Sequence, residues 1–188
     1  MKYYLFLILL LISYSINSYE PRSRPLNWDN LKEPENSIIV EGRKRYYNIR
    51  LPKEYKRESY YPIIYVLHGA EGNGEIMEIL SGFTYYADIN NYIIVYPYGT
   101  GKSEWKNLYW NADGCCGISL ENKINDVEFI KSLHSYLLKK INIDKNLVFI
   151  TGYSNGAMMG LKIACHLPNI FKGVASVSGT IFDLDNCT

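Results

Sequence analysis

The stretch Gly152-Tyr153-Ser154-Asn155-Gly156 decides the fold, because it sets a G-x-S-x-G pattern between a run typical of a strand and a run typical of a helix. The strand is predicted over Leu147–Thr151 and the helix over Asn155–His166. A serine in this context lies on a turn so tight that only very small residues fit two positions before it and two after it. Gly152 and Gly156 meet that requirement, so the pattern predicts a nucleophile elbow that presents the Ser154 hydroxyl.

Two backbone N–H groups are expected to face the oxygen of a carbonyl that Ser154 attacks. The N–H of Asn155 lies at the positive end of the predicted helix. The second donor is predicted in the loop after the strand Ile63–Leu67, where His68-Gly69-Ala70 is followed by further glycines, and the N–H of Ala70 is the candidate. An ordinary glycine turn without a catalytic part is the alternative for this loop.

The remaining chain alternates between strand-like and helix-like runs. Strands are predicted at Ser37–Val40, Arg45–Leu51, Ile63–Leu67, Tyr92–Tyr96 and Gly173–Val177, and helices at Glu75–Leu80 and from Asn125 to Asn142. A hairpin-like break over 41–44 joins the first two strands, and Asn125 followed by Glu128 fits a capping box. This alternation predicts one α/β domain with a mainly parallel sheet covered by helices on both faces.

Composition excludes several classes of protein. The chain has 188 residues, 47% of them hydrophobic, and its 20 Lys and Arg nearly balance its 19 Asp and Glu. The formal charge of +1 offers no cationic face for nucleic acid. Residues Gly99 to Ser103 imitate the end of a phosphate-binding P-loop, but Tyr96 stands where that motif needs glycine, and no helical period follows.

The first residues have the pattern of a secretion signal. Met1 and Lys2 precede an apolar run of ten residues, Tyr3 to Ile12, and Ser13 to Ser18 are polar and small. The run is shorter than the roughly 20 apolar residues that cross a bilayer, which leaves an uncleaved membrane anchor as the lesser alternative. We therefore expect residues 1–18 to be removed and residues 19–188 to form an extracellular domain with no membrane contact after cleavage.

Secretion favours disulfides for the four cysteines. Cys115 and Cys116 are adjacent, and bonds between neighbours are rare, so two connectivities remain, each joining this pair to Cys165 and Cys187. Zinc is the competing interpretation, but the chain has no C-x-x-C, its histidines lack ligand spacing, and no metal is expected. Asn186 begins an N-glycosylation sequon at the chain end.

Motifs between Ile63 and Thr180 together resemble one known family. In chain order they are Val66-Leu67-His68-Gly69-Ala70, Tyr96-Pro97-Tyr98-Gly99-Thr100-Gly101, Trp110-Asn111-Ala112-Asp113-Gly114-Cys115-Cys116-Gly117, Asn125-Asp126-Val127, Gly152-Tyr153-Ser154-Asn155-Gly156-Ala157-Met158-Met159 and Val177-Ser178-Gly179-Thr180. With them the sequence resembles the secreted esterase family of poly(3-hydroxybutyrate) depolymerases and feruloyl esterases.

This resemblance implies an α/β-hydrolase fold, an extracellular serine esterase and no cofactor. It carries over Ser154 as the nucleophile, Ala70 and Asn155 as oxyanion donors, and the cysteines as structural residues. It also implies that the loop containing Trp110 borders the substrate cleft. Feruloyl or acetyl esters on plant polysaccharide are the first expected substrates, and polyhydroxyalkanoate is the next.

A serine esterase needs a base, and fold order places the acid and then the histidine after the nucleophile. The one histidine after Ser154 is His166, twelve residues along the same predicted helix and therefore about 18 Å away. We predict a helix-end position for His166 and a packing position for His134, and keep His68 as a substitute base.

The acid is equally open. Asp126 is better explained by helix capping, and Asp183 or Asp185 could serve as the acid. We expect the final strands, with the acid and the base, to lie beyond Thr188, which would leave Gly173–Val177 as a bare edge or with an uncovered face. A catalytically impaired pseudoenzyme or a secreted binding protein is the alternative function.

Overall fold

The structure, a computed structural model, describes residues 31, 33–180 and 187. The predicted signal peptide at 1–18, the sequon residue Asn186 and the candidate acids Asp183 and Asp185 lie outside the described residues. Within the described part of the chain, no helix is long and apolar enough to cross a membrane.

The core of the fold is a twisted sheet with helices on both of its faces. Its strands are β1 Asn36–Val40, β2 Arg43–Arg50, β3 Tyr61–Leu67, β4 Ile93–Pro97, β5 Ile143–Tyr153 and β6 Gly173–Val177. The described strands lie in the order β1-β2-β4-β3-β5-β6. The pairs β1·β2 and β2·β4 are antiparallel, whereas β4, β3, β5 and β6 run parallel. The predicted mainly parallel sheet is therefore confirmed, with an antiparallel hairpin added at one end.

The central strand β3 is buried on both faces because its side chains alternate between two apolar clusters. On one face, Ile63, Tyr65 and Leu67 pack with residues of the helices Asp126–Leu137 and Asn155–His166. On the other face, Ile64 and Val66 pack with residues of the helices Gly74–Ser81 and Phe83–Asn90. A continuous apolar run is what a strand covered on both sides requires. Its carboxyl end therefore emerges at the centre of the sheet edge, beside β5, with Leu67 paired to Gly152.

The helices are α1 Gly74–Ser81, α2 Phe83–Asn90, α3 Gly117–Glu121, α4 Asp126–Leu137 and α5 Asn155–His166. The start of α4 is capped as predicted, because the Asn125 side chain accepts a hydrogen bond from the Glu128 N–H at 3.1 Å. The predicted continuation of this helix to Asn142 is wrong. The helix ends at Leu137, and β5 starts at Ile143, four residues before the predicted strand.

The strand β6 lies at one end of the described sheet and pairs there with β5. Four of its five residues are exposed. Val177 keeps 53% of its surface accessible. Among the described residues the apolar side chain of Val177 is therefore uncovered, and the expectation of further strands beyond Thr188 stays a prediction.

Candidate active site

Ser154 lies on a sharp turn at the junction of β5 and α5. Its backbone has φ 52° and ψ −120°, a conformation that non-glycine residues rarely adopt. The side chain does not cap the helix that begins at Asn155, and the residue is half-buried, so the hydroxyl remains available. These are the backbone features predicted for a nucleophile elbow.

The two glycines of the G-x-S-x-G pattern are where the strand and the helix touch. A Cβ atom on Gly152 would collide with the Gly156 backbone and lie 2.8 Å from the Ala157 nitrogen. A Cβ atom on Gly156 would collide with the carbonyl groups of Leu67 and His68 at the end of β3. The strand and the helix thus approach too closely for a side chain at either position, and the contact also brings the start of α5 against the end of β3.

The loop after β3 forms a tight turn beside Ser154. The N–H of Gly72 donates to the Gly69 carbonyl at 3.1 Å, and Glu71 has φ 63° within the turn. A Cβ atom on Gly69 would lie 3.1 Å from the Tyr153 ring, which places the turn against the residue before Ser154. Ala70 is exposed on this turn. The structure thus brings the two segments with the predicted donors together, and the roles of Ala70 and Asn155 stay predictions.

The Asn155 side chain makes an interaction that sequence patterns gave no sign of. Its Oδ1 accepts a hydrogen bond from the Trp110 N–H at 2.8 Å, and its Nδ2 donates to the Trp110 carbonyl at 3.0 Å. Asn155 is 1% exposed and is the first residue of α5. The first N–H groups of a helix have no partner within the helix, so its backbone N–H remains an available donor.

The expectation that the loop containing Trp110 borders the substrate cleft stays a prediction, and the Trp110 side chain is not part of that border. The side chain is fully buried, its Nε1–H donates to the His68 carbonyl at 2.9 Å, and its ring centroid lies 4.9 Å from that of His68. An indole enclosed in this way cannot line an open cleft. Trp110 is a support behind the turn.

His68 is excluded as a substitute base. Its Nδ1 lies 2.7 Å from the Gly69 carbonyl, to which it donates, and its Nε2 accepts from the Gly99 N–H at 2.9 Å. Burial lowers the pKa of His68 to about 4, so the ring is neutral at neutral pH. With both nitrogens occupied, the imidazole has no free lone pair for a proton from Ser154.

The other two histidines also lie away from the elbow. His134 is 5% exposed on α4, and its Nδ1 is 2.9 Å from the Tyr65 hydroxyl, which confirms its packing position. Burial lowers the pKa of His134 to about 4. His166 is the exposed last residue of α5, as predicted. In the arrangement of the described residues, none of the three histidines can deprotonate Ser154.

Asp126 is not a helix cap, which corrects its predicted role. Asn125 caps α4, while the buried Asp126 carboxylate binds groups from three directions. Its Oδ1 accepts from Arg45 at 2.6 Å, and its Oδ2 accepts from the Asn111 N–H at 2.8 Å and from the Ser119 hydroxyl at 2.9 Å. Arg45 also stacks on Phe129, with its guanidinium carbon 3.9 Å from the ring centroid. Asp126 therefore anchors the segment that carries Trp110.

The cysteines are paired differently from the prediction. The structure pairs Cys115 with Cys116, and Cys165 with Cys187. The Cα atoms of the second pair are 4.9 Å apart, within the range of disulfides. Cys115 Sγ lies 3.9 Å from Asn155 Nδ2 at the start of α5, whereas Cys165 is ten residues further along that helix, about 15 Å away. That separation prevents the predicted links between the two pairs.

The described residues also form a groove away from the Ser154 turn. A groove of about 500 Å³ lies between β2, α1 and α2, and its lining includes Arg50, Glu78 and Asp88 but no residue of the elbow. The guanidinium of Arg50 is paired with Glu35 at 2.7 Å and with Glu78 at 2.6 Å. Among the described residues, no group of His, Cys, Asp and Glu is placed to hold a metal ion.

Comparison with known proteins assigns the chain to a family. Residues 39–184 match the model of the esterase family described as "Putative esterase". The chain belongs to this esterase family. The matched residues include the turn at Ala70, the Trp110 segment and the elbow.

Curated relatives of this chain are named as esterases. The chain is 30% identical to feruloyl esterase D of Neurospora crassa over 74% of its own length and 47% of that protein's. It is 26% identical to acetylxylan esterase A of Aspergillus oryzae over 62% of its length and 36% of that protein's. The chain thus spans less than half of the length of these relatives.

Solved structures confirm the α/β-hydrolase fold. An acetyl xylan esterase from Aspergillus awamori superposes with a TM-score of 0.57 at 21% identity, covering 76% of this chain and 51% of that one. A ferulic acid esterase superposes with a TM-score of 0.54 at 23% identity, covering 77% of this chain and 58% of that one. The predicted fold class and the predicted family are both confirmed.

Proposed function

We propose that this esterase hydrolyses carboxylic esters through an acyl-enzyme formed on Ser154. The observation that carries the proposal is the strained backbone of Ser154, with φ 52° and ψ −120° at the start of α5. Such strain persists only where the surrounding structure enforces it, and it is concentrated at functional sites. Membership of the esterase family supports the same reaction.

In the proposed reaction, Ser154 Oγ loses its proton to a base and bonds to the carbonyl carbon of the ester. The carbonyl electron pair moves onto oxygen, and the N–H groups of Ala70 and Asn155 stabilise the resulting oxyanion. Collapse of this intermediate breaks the ester bond, and the leaving alcohol takes the proton from the base. Water then releases the acid by the same steps. The base must be a group other than His68, His134 or His166.

The proposed substrates are feruloyl or acetyl esters on plant polysaccharide, with polyhydroxyalkanoate as the second choice. The names of relatives, feruloyl esterase D and acetylxylan esterase A, support the first choice. We further propose that the chain is exported by the signal at 1–18 and that Cys165 and Cys187 form a disulfide after export, in keeping with the 4.9 Å between their Cα atoms.

Labelling of the full chain with a fluorophosphonate tests the reaction. We expect wild type to be labelled on Ser154 and Ser154→Ala to lose both the label and at least about 10³-fold in kcat on p-nitrophenyl acetate. Ser135→Ala is the matched control, because that hydroxyl donates to the Lys131 carbonyl on the exposed side of α4. Methyl ferulate, acetylated xylan and a hydroxybutyrate oligomer would rank the proposed substrates.

A catalytically inert binding protein is the second candidate. It is favoured by the occupation of His68 by Gly69 and Gly99, and by the distance of His166 from the elbow. Under this alternative, the folded wild type would show neither labelling nor turnover. That result would exclude the proposed reaction, whereas labelling of Ser154 would exclude the inert protein.

A further inference from the structure

Trp110 lies between the two segments that carry the proposed oxyanion donors. On one side its indole Nε1–H donates to the His68 carbonyl, two residues before Ala70, at 2.9 Å. On the other side its backbone N–H and carbonyl both bind the Asn155 side chain, at 2.8 Å and 3.0 Å. One buried residue therefore contacts both segments through three hydrogen bonds.

The contact with Asn155 fixes that residue in position. Its amide uses one acceptor and one donor on a single residue, in the way that two peptide groups pair between strands. Because the whole residue is buried, water cannot replace these bonds without a large cost. The orientation of the Asn155 side chain, and with it the start of α5, is thus set relative to Trp110.

The contact with His68 fixes the other donor segment. The carbonyl of His68 is held by Trp110, and its ring spans the Gly69 carbonyl and the Gly99 N–H. The turn that contains Ala70 is further held at its end, where the Leu108 N–H donates to the Gly72 carbonyl at 3.1 Å. The turn therefore follows the position of His68.

The Trp110 segment is itself anchored from behind. The Asn111 N–H donates to Asp126, which is paired with the buried Arg45. The Asn111 carbonyl accepts from Lys162 Nζ at 3.1 Å. With its next residue fixed at both polar groups of the backbone, Trp110 cannot move to follow either donor segment.

We propose that Trp110 is a positioning residue that sets the separation between the Ala70 and Asn155 N–H groups, and so their fit to the tetrahedral oxyanion. The inference rests on the proposed function of the elbow. Donors held at fixed positions stabilise the charge that develops in the transition state without stabilising the bound substrate equally. A change at Trp110 should therefore lower kcat much more than it raises KM.

Trp110→Phe tests this role, because phenylalanine keeps an aromatic ring and removes the donor to His68. Trp105→Phe is the matched control, since Trp105 is half-buried and packs edge-on against Tyr46, with ring centroids 6.4 Å apart, in a different cluster. The first measurement is amide hydrogen exchange of the full chain. We expect Trp110→Phe to speed exchange about tenfold in residues 68–72 and to change residues 154–157 less, because the backbone bonds of residue 110 to Asn155 remain. Trp105→Phe should leave both segments unchanged.

The second measurement is turnover of p-nitrophenyl acetate. We expect Trp110→Phe to lower kcat about 10- to 100-fold with KM within about twofold of wild type, and Trp105→Phe to change neither constant. Asn155→Asp is the second variant, for use if Trp110→Phe does not fold. Its carboxylate still accepts from the Trp110 N–H but repels the Trp110 carbonyl, so the same pattern of results is expected.

The outcomes separate this inference from the proposed function. Unchanged exchange in residues 68–72, or a raised KM with unchanged kcat, would overturn the positioning role while the esterase reaction stands. A wild type without labelling or turnover would overturn the proposed reaction and the catalytic part of this inference together. Faster exchange in residues 68–72 with a kcat-specific loss would support it.

Discussion

The two flanks of the Ser154 turn are built by different means. On one flank the Trp110 segment is buried, and side chains of Asn155 and Asp126 bind its backbone. On the other flank β6 is mostly exposed and reaches Ser154 through its backbone, by the Ser154 N–H donating to the Val177 carbonyl at 2.8 Å. The difference teaches that buried polar side chains determine the geometry on one flank, whereas on the second flank Ser154 itself is held by a backbone hydrogen bond.

The largest expected effect is loss of the Asp126 charge on the buried flank. Asp126→Asn leaves Arg45, whose side chain is 4% exposed, without its counter-charge and weakens the bond to the Asn111 N–H. Removing one partner of a buried ion pair costs about 3–5 kcal/mol of the free energy of unfolding. Chemical denaturation monitored by tryptophan fluorescence measures this loss.

Asp113→Asn is the matched control for this substitution. Asp113 pairs with Lys162 at 2.5 Å, but its side chain is 43% exposed, so water can replace the partner. The expected loss is below about 1 kcal/mol. Equal losses for the two variants would contradict the view that the buried flank carries a special energetic role.

The next effect compares two glycines of α5, one toward each flank. Gly156→Ala would place a methyl group on the carbonyls of Leu67 and His68, which belong to the sheet and cannot move aside. We expect a loss of about 2–3 kcal/mol of the free energy of unfolding.

Gly160→Ala provides the control on the same helix. Its Cβ would lie 3.8 Å from Val174 and 3.9 Å from Ile150, which are ordinary contacts. Because alanine is favoured over glycine within a helix, a gain of about 0.5–1 kcal/mol is expected. A loss at Gly160 as large as at Gly156 would show that α5 is packed with equal tightness against β6, and the contrast between the flanks would fail.

Much of the fold could be predicted from the sequence, because its signals are local. The bounds of α5 and β6 are those predicted, since each follows a clear periodic or apolar run. The helix Phe83–Asn90 was missed, because its aromatic and β-branched residues show no helical stripe and its ends are set by left-handed backbone at Gly82 and Asn91.

The site divides in the same way. The sharp turn at Ser154 could be predicted because it requires small residues two positions before and two positions after the serine, and both glycines are visible in the local sequence. The role of Asp126 was not, because its partner Arg45 lies 81 residues earlier in the chain and no spacing rule joins them. The hydrogen bonds between the Asn155 side-chain amide and the Trp110 backbone could not be predicted for the same reason, because the two residues are 45 positions apart.

The pH dependence that His68 gives to the buried flank is expected to be smaller than the losses from substitution of Asp126 or Gly156. Burial lowers the pKa of His68 to about 4, whereas an unfolded histidine titrates near 6.5. Between these pH values His68 binds a proton in the unfolded chain but not in the folded chain. The free energy of unfolding therefore falls as the pH falls from about 6.5 towards 4. From pH 7 to 4.5 this group alone removes about 2 kcal/mol.

The measurement is urea denaturation at several pH values for wild type, His68→Gln and His166→Gln. We expect His68→Gln to reduce the slope in this window without abolishing it, because the pKa of the buried His134 is also lowered to about 4. His166→Gln, at the exposed end of α5, should keep the slope. A wild-type slope retained in His68→Gln would mean that the imidazole accepts a proton in the folded state. The protonated Nε2 of His68 could then no longer accept the hydrogen bond from the Gly99 N–H, and the buried flank would be less rigid than its hydrogen bonds indicate.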